Sequence, residues 1–493
     1  MKKLFCLTLM IVILSSMFTS CMNDSASSND TVSNSTTSIS NEPVVLRFVS
    51  KDQDPADETV KKFFDEVSKG MKMRGMDVKV EVVSVQSGTY SEKLGLLLQS
   101  GNIPDIIYFQ GGDYEFAITQ GILEDLSGYV SKSSLVQASM NEYNIERLNN
   151  YPYLLWLSPT ITPVPVVRKD FFENTELGKT LLENPTADNY HEFFKEVKEK
   201  NNAKYAITVA GDLTELNTIF DQSFGLSSTW IKGDDGKYIY SRVSEFEKEK
   251  LAYYAKLYEE GLLDNEYLTK LWDTKESAFY DGDAAVISGT QGKVIDLYNS
   301  KSIAQNGATA ELMVLPPAKG KSQGYNPIDI SKESRGFAIS KTCENKDIAF
   351  ALLEYLATDE GQILDKLGFL GEHYVMEDNK IKLTDKFAEW YPRFWNSILD
   401  FKVLDNIDPS TPYISNPGGE SLSNVEKYGT KDNAFVIPND LTTKWDACLS
   451  IYKEFTADVV TGKKSIDEFD RFVEDFNNAG GKDITEYANT VLK

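Results

Sequence analysis

The stretch "QSGNIPDIIYFQGGDYEFA", Gln99 to Ala117, decides how this chain is read. Its centre, Asp105 to Phe109, is a short apolar and aromatic run with Gly and Pro before it and two glycines after it, the pattern of a buried strand. A core strand needs only a turn at its end. This one runs into Gln110, Gly111, Gly112, Asp113 and Tyr114, which combine an amide, an acid and a ring with a backbone free to approach another molecule. Upstream, "VVLRFVS" (44–50) reads as a strand, and Val60, Phe63, Phe64 and Val67 form one stripe of a helix. "VKVEVVSV" (78–85) alternates as a second strand, and Leu94, Leu97 and Leu98 mark a helix stopped at Gly101. This β-α-β-α-β order predicts a parallel sheet with right-handed crossovers. Ligands of open α/β sheets bind beyond the carboxyl ends of the strands. Gln110 to Asp113 lie at such an end, as do Lys51 and Asp52.

The alternation repeats downstream. Thr186 is an N-cap candidate for a helix striped by Tyr190, Phe193, Phe194 and Val197, with His191 on its solvated face. "YAITVAG" (205–211) is a strand opening into Asp212, and "GDDG" (233–236) is a hairpin turn. A helix over 246–260 stops at Gly261, and "DAAVISGTQG" (283–292) is a strand ending in a polar glycine turn. "LMVLPPAKGKSQG" (312–324) and "RGFAIS" (335–340) add strands, "NKDIAFALLEYLATDEG" (345–361) a helix, and the last third is mainly helical.

With 493 residues the chain is long enough for two or three domains. Its net charge of -24 repels a phosphate backbone, so nucleic acid is excluded as a partner. An anionic ligand would need a local basic pocket. Lys2 and Lys3 precede an apolar run over 4–17 that is too short to span a bilayer, and Thr19 and Ser20 stand directly before Cys21. This resembles a bacterial lipoprotein processing site, with Phe18 where such sites usually carry leucine. The resemblance implies a signal peptide over 1–20, a lipidated Cys21, and an extracytoplasmic protein anchored to the cell membrane by lipid alone; secretion without an anchor is the alternative. Residues 21–43 are Ser-, Asn- and Thr-rich and read as a disordered tether. Cys343 and Cys448 remain in the folded part, and whether they pair is open.

The catalytic signatures fail. There are two histidines, His191 and His373, and no G-x-S-x-G elbow. "AKGKS" (318–322) lacks the first glycine of a phosphate loop, and "KDQDPADE" (51–58) lacks the glycine of a calcium loop. No metal, cofactor or enzymatic activity is expected. Aromatics make up 12% of the chain. Tyr90, Tyr114, Trp156, Trp230, Trp272, Tyr374, Trp390 and Trp395 fall near expected loops, where rings stack on the apolar faces of sugars.

Four stretches then carry a family resemblance. "EKLGLLLQSGNIPDIIYFQGGDYEFAITQGILEDLSGYV" (92–130) holds an S-G-x-x-P-D turn and a G-x-L-x-D-L, and "YAKLYEEGLLDNEYLTKLWDTKESAFYDGDAAVISGT" (254–290) an F-x-x-G-x-A. "RGFAISKTCENKDIAFALLEYLATDEGQILDKLGFLGEHY" (335–374) resembles a return segment, and "VTGKKSIDEFDRFVEDFNNAGG" (460–481) the closing helices. In order and spacing they resemble the extracellular solute-binding proteins of ABC importers, in particular the lipoprotein branch that takes up carbohydrates. The resemblance implies a two-lobed, periplasmic-binding-protein-like α/β fold, each lobe a mainly parallel sheet flanked by helices. Lobe 1 is expected over 44–160 and about 316–370, and lobe 2 over 161–315 and about 371–493. Crossings are expected near 158–165, 312–316 and 368–374. The expected function is capture of a carbohydrate, in particular an oligosaccharide, by a monomer that delivers it to permease subunits. A peptide, a polyamine or a glycan-active enzyme are the alternatives; an acidic cleft would favour a polyamine, and stacked aromatics with amides a sugar. The ligand residues implied are Asp52, Tyr90, Gln110, Asp113, Trp156, Asp212, Trp230, Thr290, Gln291, Arg335 and Trp395. Gln291 stands where sugar-binding relatives often carry tryptophan.

Overall fold

Twelve strands form among the described residues, and all but those at 163–168, 374–377 and 380–383 fall where the sequence pattern predicts strands. In chain order they are β1 (Val44–Val49), β2 (Val78–Val82), β3 (Ile106–Phe109), β4 (Pro163–Arg168), β5 (Tyr205–Thr208), β6 (Trp230–Lys232), β7 (Tyr238–Tyr240), β8 (Ala284–Thr290), β9 (Leu312–Val314), β10 (Gly336–Ile339), β11 (Tyr374–Glu377) and β12 (Lys380–Leu383). The computed structural model describes residues 42–492 apart from 86–89, 111–114, 141, 158–161, 327–334, 391–405 and 439. Cys21 and the leader, Asp113 and Trp395 lie outside the described residues.

Two four-stranded sheets, ordered β10-β3-β1-β2 and β5-β8-β4-β9, centre two lobes. In the first, β1 runs parallel to β2 and β3, and β10 closes the edge antiparallel to β3 with Gly336 opposite Phe109. All four residues of β3 are buried, as its sequence demands. The helix Glu58–Met73 starts where the Asp57 carboxylate accepts the Thr59 N–H (2.7 Å), and it buries Val60, Phe63, Phe64 and Val67. Gly70 lets it approach Tyr355: a Cβ there would stand 2.3 Å from the tyrosine oxygen.

The second sheet is also mixed: β5, β8 and β9 run in one direction, and β4 lies between β8 and β9 and pairs antiparallel with both. The cause is connectivity. The chain enters lobe 2 through β4 from the side where the other strands end, so Pro163 pairs with Thr290, the last residue of β8.

The lobe boundaries also shift. Leu315, Ala318 and Tyr325 are buried with the second lobe, so 312–316 is not a crossing; the chain returns to lobe 1 between Asn326 and Arg335. Nor does it cross at 368–374. The Trp390 indole N–H donates to the Asp365 carbonyl (2.8 Å), its ring packs on His373 and Phe369, and the β11–β12 hairpin shares the first core with the helix Asp359–Leu367. Ile381, Leu383, Phe387, Ile407 and Tyr413 join the first core, so lobe 1 extends to about 413. The helix Asn416–Tyr428 then packs on the second lobe.

Smaller differences have local causes. The helix expected over 345–361 is two, Lys346–Leu356 and Asp359–Leu367, because the Thr358 hydroxyl caps the second by accepting from Gly361 N–H (3.1 Å). His191 is buried rather than solvated, its ring nitrogens 3.0 Å from Glu192 and 2.8 Å from Glu260. Cys343 lies in the first core and Cys448 in the second, both free thiols that burial pushes up to about 11.

Candidate functional site

Both lobes turn the same kind of edge toward the segments that join them. In lobe 1 the register places Gln110, after β3, beside Arg335, before β10. In lobe 2 the strand ends Thr208 and Thr290 lie at the edge where Pro163 arrives. These carboxyl ends are where an α/β sheet presents its loops.

A cavity of about 440 Å³ opens at this edge of lobe 2. That is within the range of about 300–1,000 Å³ typical of small-molecule sites. Pro163, Gly211, Asp212 and Thr214 line its strand-end wall, and Asn326, which precedes the return passage, lines another side. Thr456 and Tyr452 from the helix Thr442–Val460, and Asp432 before that helix, complete it. Two of its hydroxyls, Tyr267 Oη and Thr456 Oγ1, are buried with no hydrogen-bond partner among the described residues. A buried hydroxyl without a partner costs about 1–3 kcal/mol, which a ligand hydroxyl would recover.

The floor is a closed network of charges. Asp221 is fully buried and accepts two bonds from Arg242 (2.8 and 2.6 Å), one from Lys250 (2.7 Å) and one from the Asn326 amide (2.6 Å). Glu247 accepts from Arg242 (3.1 Å) and from Tyr452 (2.8 Å) and lies 3.0 Å from Lys250 Nζ. Burial alone would raise the Asp221 carboxyl, but Arg242 and then Lys250 outweigh it and hold it below its usual value. The charges of the floor are paired, while the Tyr267 and Thr456 hydroxyls have no partner among the described residues.

Trp272, 46% exposed, starts the helix Trp272–Tyr280 that leads into β8. Lys275 Nζ sits 3.6 Å from its ring centroid. That ammonium is buried, donating to Glu215 (2.5 Å) and to the Ser288 carbonyl near the end of β8 (3.0 Å). Burial lowers the Lys275 ammonium and raises the Glu215 carboxyl from their usual values, each opposed by the other's charge. Gly289 leaves room for Tyr298 behind this edge: a Cβ would stand 2.5 Å from the ring. Leu271 and Leu268, close by in sequence, are 67% and 37% exposed, and Leu268 lines the cavity.

The residues named from sequence divide into three groups. Asp212 lines the cavity and caps its loop by accepting from Thr214 N–H (2.8 Å), and Asp52 is exposed at the end of β1 with a left-handed φ of 57°. Gln110, Trp156, Thr290 and Arg335 lie at the strand-end edges. Gln291 is there too, but it ties the edge together: its side-chain oxygen accepts from Thr162 N–H (2.8 Å) and its own N–H donates to the Thr162 carbonyl (3.2 Å). Tyr90 and Trp230 are corrections. The Tyr90 hydroxyl donates to the Tyr108 carbonyl (2.6 Å) inside lobe 1, and Trp230 stacks between Phe435 and Trp445 inside lobe 2. Both rings are spent on packing. Sequence reading missed Tyr267, Thr456 and Asp432, and it singled out Trp272 only as an aromatic near a loop. The one legible signal for Thr456 was a hydroxyl on the otherwise apolar buried face of its helix.

The comparisons with known proteins agree with this architecture. The profile of a family described as bacterial extracellular solute-binding protein matches residues 52–363. Lipoprotein LipO of Bacillus subtilis (strain 168) is 21% identical over 442 residues, covering 84% of this chain and 86% of that protein. The alginate-binding protein AlgQ2, solved without calcium ion, superposes with a TM-score of 0.66 at 14% identity, covering 91% of this chain and 98% of its own. The N-glycan transport solute-binding protein NgtS of Streptococcus pneumoniae gives 0.64 at 15% identity, covering 91% and 97%.

Proposed function

This chain belongs to the bacterial extracellular solute-binding protein family, the binding components of ABC transporters, and from that premise we propose that it captures an oligosaccharide between its lobes and delivers it to a permease. The observation that carries the proposal is the lobe-2 cavity, with the Tyr267 and Thr456 hydroxyls lacking partners among the described residues; the exposed indole of Trp272 lies four residues along the chain from Leu268, which lines it. Sugars supply both donors and acceptors for such hydroxyls, and their C–H faces stack on indole rings. The names of the solved neighbours, which bind alginate and transport N-glycans, support the same class.

Ligand contacts to both lobes stabilise the closed form, and the permease reads that form. The reaction is binding and release, with no bond made or broken. Cys21 is the proposed lipid anchor and residues 22–43 the tether, in keeping with a lipoprotein relative. A polyamine is the second reading, because Asp212, Asp221 and Asp432 line the cavity. Asp221 weighs against it: Arg242 and Lys250 already neutralise that carboxylate. The experiment is thermal unfolding of the purified protein against neutral and acidic oligosaccharides, peptides and polyamines. A shift with oligosaccharides alone supports the proposal. A shift with spermidine and none with any sugar overturns it.

A further inference from the structure

One wall of the lobe-2 cavity is a single helix face. Thr214, Asn217, Thr218 and Asp221 line the cavity and recur at the spacing of one side of the helix Thr214–Phe224. On its other side Leu216, Ile219 and Phe220 are buried in the second core. Along the polar face, Thr218 spends its proton on the Thr214 carbonyl (3.1 Å), and Asp221 accepts its four bonds from Arg242, Lys250 and Asn326.

Asn217 differs from these neighbours. Its amide oxygen accepts from Lys250 Nζ (2.9 Å) and from the Tyr254 hydroxyl (3.2 Å). An ammonium has three protons and no lone pair. Lys250 meets three acceptors with them: Asp221 (2.7 Å), Glu247 (3.0 Å) and Asn217. Turning the Asn217 amide over would set N–H against N–H and leave a proton of a fully buried ammonium unmet, so the oxygen is held toward Lys250. The same contact fixes where the amide nitrogen stands. That nitrogen has no hydrogen-bond partner among the described residues, and Asn217 is half-buried where Lys250 and Tyr254 are fully buried. The hydroxyls of Tyr267 and Thr456 in the same cavity can each donate or accept, whereas an amide NH2 can only donate.

We propose that Asn217 is a specificity-determining ligand contact, its NH2 group donating to a hydroxyl oxygen of the bound sugar. This rests on the oligosaccharide reading and deepens it. The sugar must present an acceptor at Asn217, which sets the sense of the hydrogen bonds on that wall.

The test is calorimetric titration of the purified protein with cellotriose, maltotriose, mannotriose and chitotriose, then with monodeoxy and monodeoxyfluoro derivatives of the tightest binder. At one position the deoxy sugar is expected to bind about fivefold more weakly than the parent, the worth of one net hydrogen bond. The fluoro sugar at that position falls between the two, because fluorine accepts and cannot donate. In Asn217→Ala the parent weakens by the same factor, and the deoxy sugar at that position binds as tightly as the parent. Asn217→Asp keeps an oxygen for Lys250 and loses the donors; there the fluoro sugar becomes the weakest of the three. This second variant carries the test if Asn217→Ala does not fold. Deoxy penalties that are the same in the native protein and in the variants overturn this inference and leave the oligosaccharide reading standing. A fluoro sugar no better than the deoxy sugar in the native protein overturns the acceptor assignment. Failure of every sugar to bind overturns both readings.

Discussion

Replacing Asp221 by alanine tests the claim that the floor of the lobe-2 cavity is a closed charge network. The carboxylate is fully buried and accepts four bonds, from Arg242 twice, Lys250 and Asn326. Without it, Glu247 is the one carboxylate among the described residues that pairs with both Arg242 and Lys250. Removing one partner of a buried ion pair costs about 3–5 kcal/mol, because a charge is left without compensation. A lobe of this size loses about 2–4 °C of melting temperature per kcal/mol, so a fall of roughly 6–20 °C is expected. Asp221→Asn keeps the shape and loses the charge, and should fall most of the way. The assay is urea unfolding at neutral pH, followed by tryptophan fluorescence from the stacked Trp230–Trp445 pair. The pH dependence gives a second check. The folded carboxyl lies below its usual value, with burial opposing and Arg242 and Lys250 prevailing. Its contribution is therefore present above the unfolded value of about 3.9 and lost as pH falls through the lower folded value. The gap between native protein and Asp221→Ala should narrow below about pH 4. A loss under about 1 kcal/mol at pH 7 would refute the reasoning, since that is the worth of a solvated surface pair.

Other expectations follow from the same contacts. Tyr267→Phe and Thr456→Val remove hydroxyls without partners, so each should leave stability within about 0.5 kcal/mol and weaken oligosaccharide binding by about 1 kcal/mol, measured by melting and by titration. Trp272→Ala should weaken the same ligand by about 1 kcal/mol and abolish any ligand-dependent change in its fluorescence. Burial holds the His373 imidazole below its usual value, and its Nδ1 accepts from Phe369 N–H (3.0 Å). That stability is present above the unfolded value of about 6.5 and lost as pH falls through the lower folded one, so His373→Gln should flatten the melting profile between pH 7.5 and 5. Cys21→Ala should move the protein from the membrane fraction to the medium, as seen by fractionation and immunoblot.

The strands and helices of both lobes were legible because their apolar periods are clean. β3 is a buried run and the helix Glu58–Met73 carries one stripe, and no tertiary contact overrides either. The route of the chain between lobes was less legible. Prolines at 316 and 317 mimic an exit, yet Leu315, Ala318 and Tyr325 stay in the second core. The direction of β4 is set by where the chain enters the lobe, which no local pattern encodes. Site residues divide along the same line. Asp212 was legible because loops at strand ends are predictable, and it lines the cavity. Tyr90 and Trp230 were misplaced because a ring near a loop and a ring inside a core look alike in sequence, and only Tyr108, Phe435 and Trp445 decide between them. Tyr267 and Thr456 come from distant segments and meet only through the fold.

The most direct measurement is thermal unfolding of the purified protein in the presence of each candidate ligand. A ligand that binds only the folded form stabilises it by about 2.7 kcal/mol at a hundredfold excess over Kd. Oligosaccharide capture without cleavage predicts a saturable rise in melting temperature with such a sugar, recovery of that sugar intact, and loss of roughly a third of the rise in Tyr267→Phe and in Trp272→Ala. A rise with peptides or polyamines and none with any sugar, or recovery of a cleaved sugar, would contradict it.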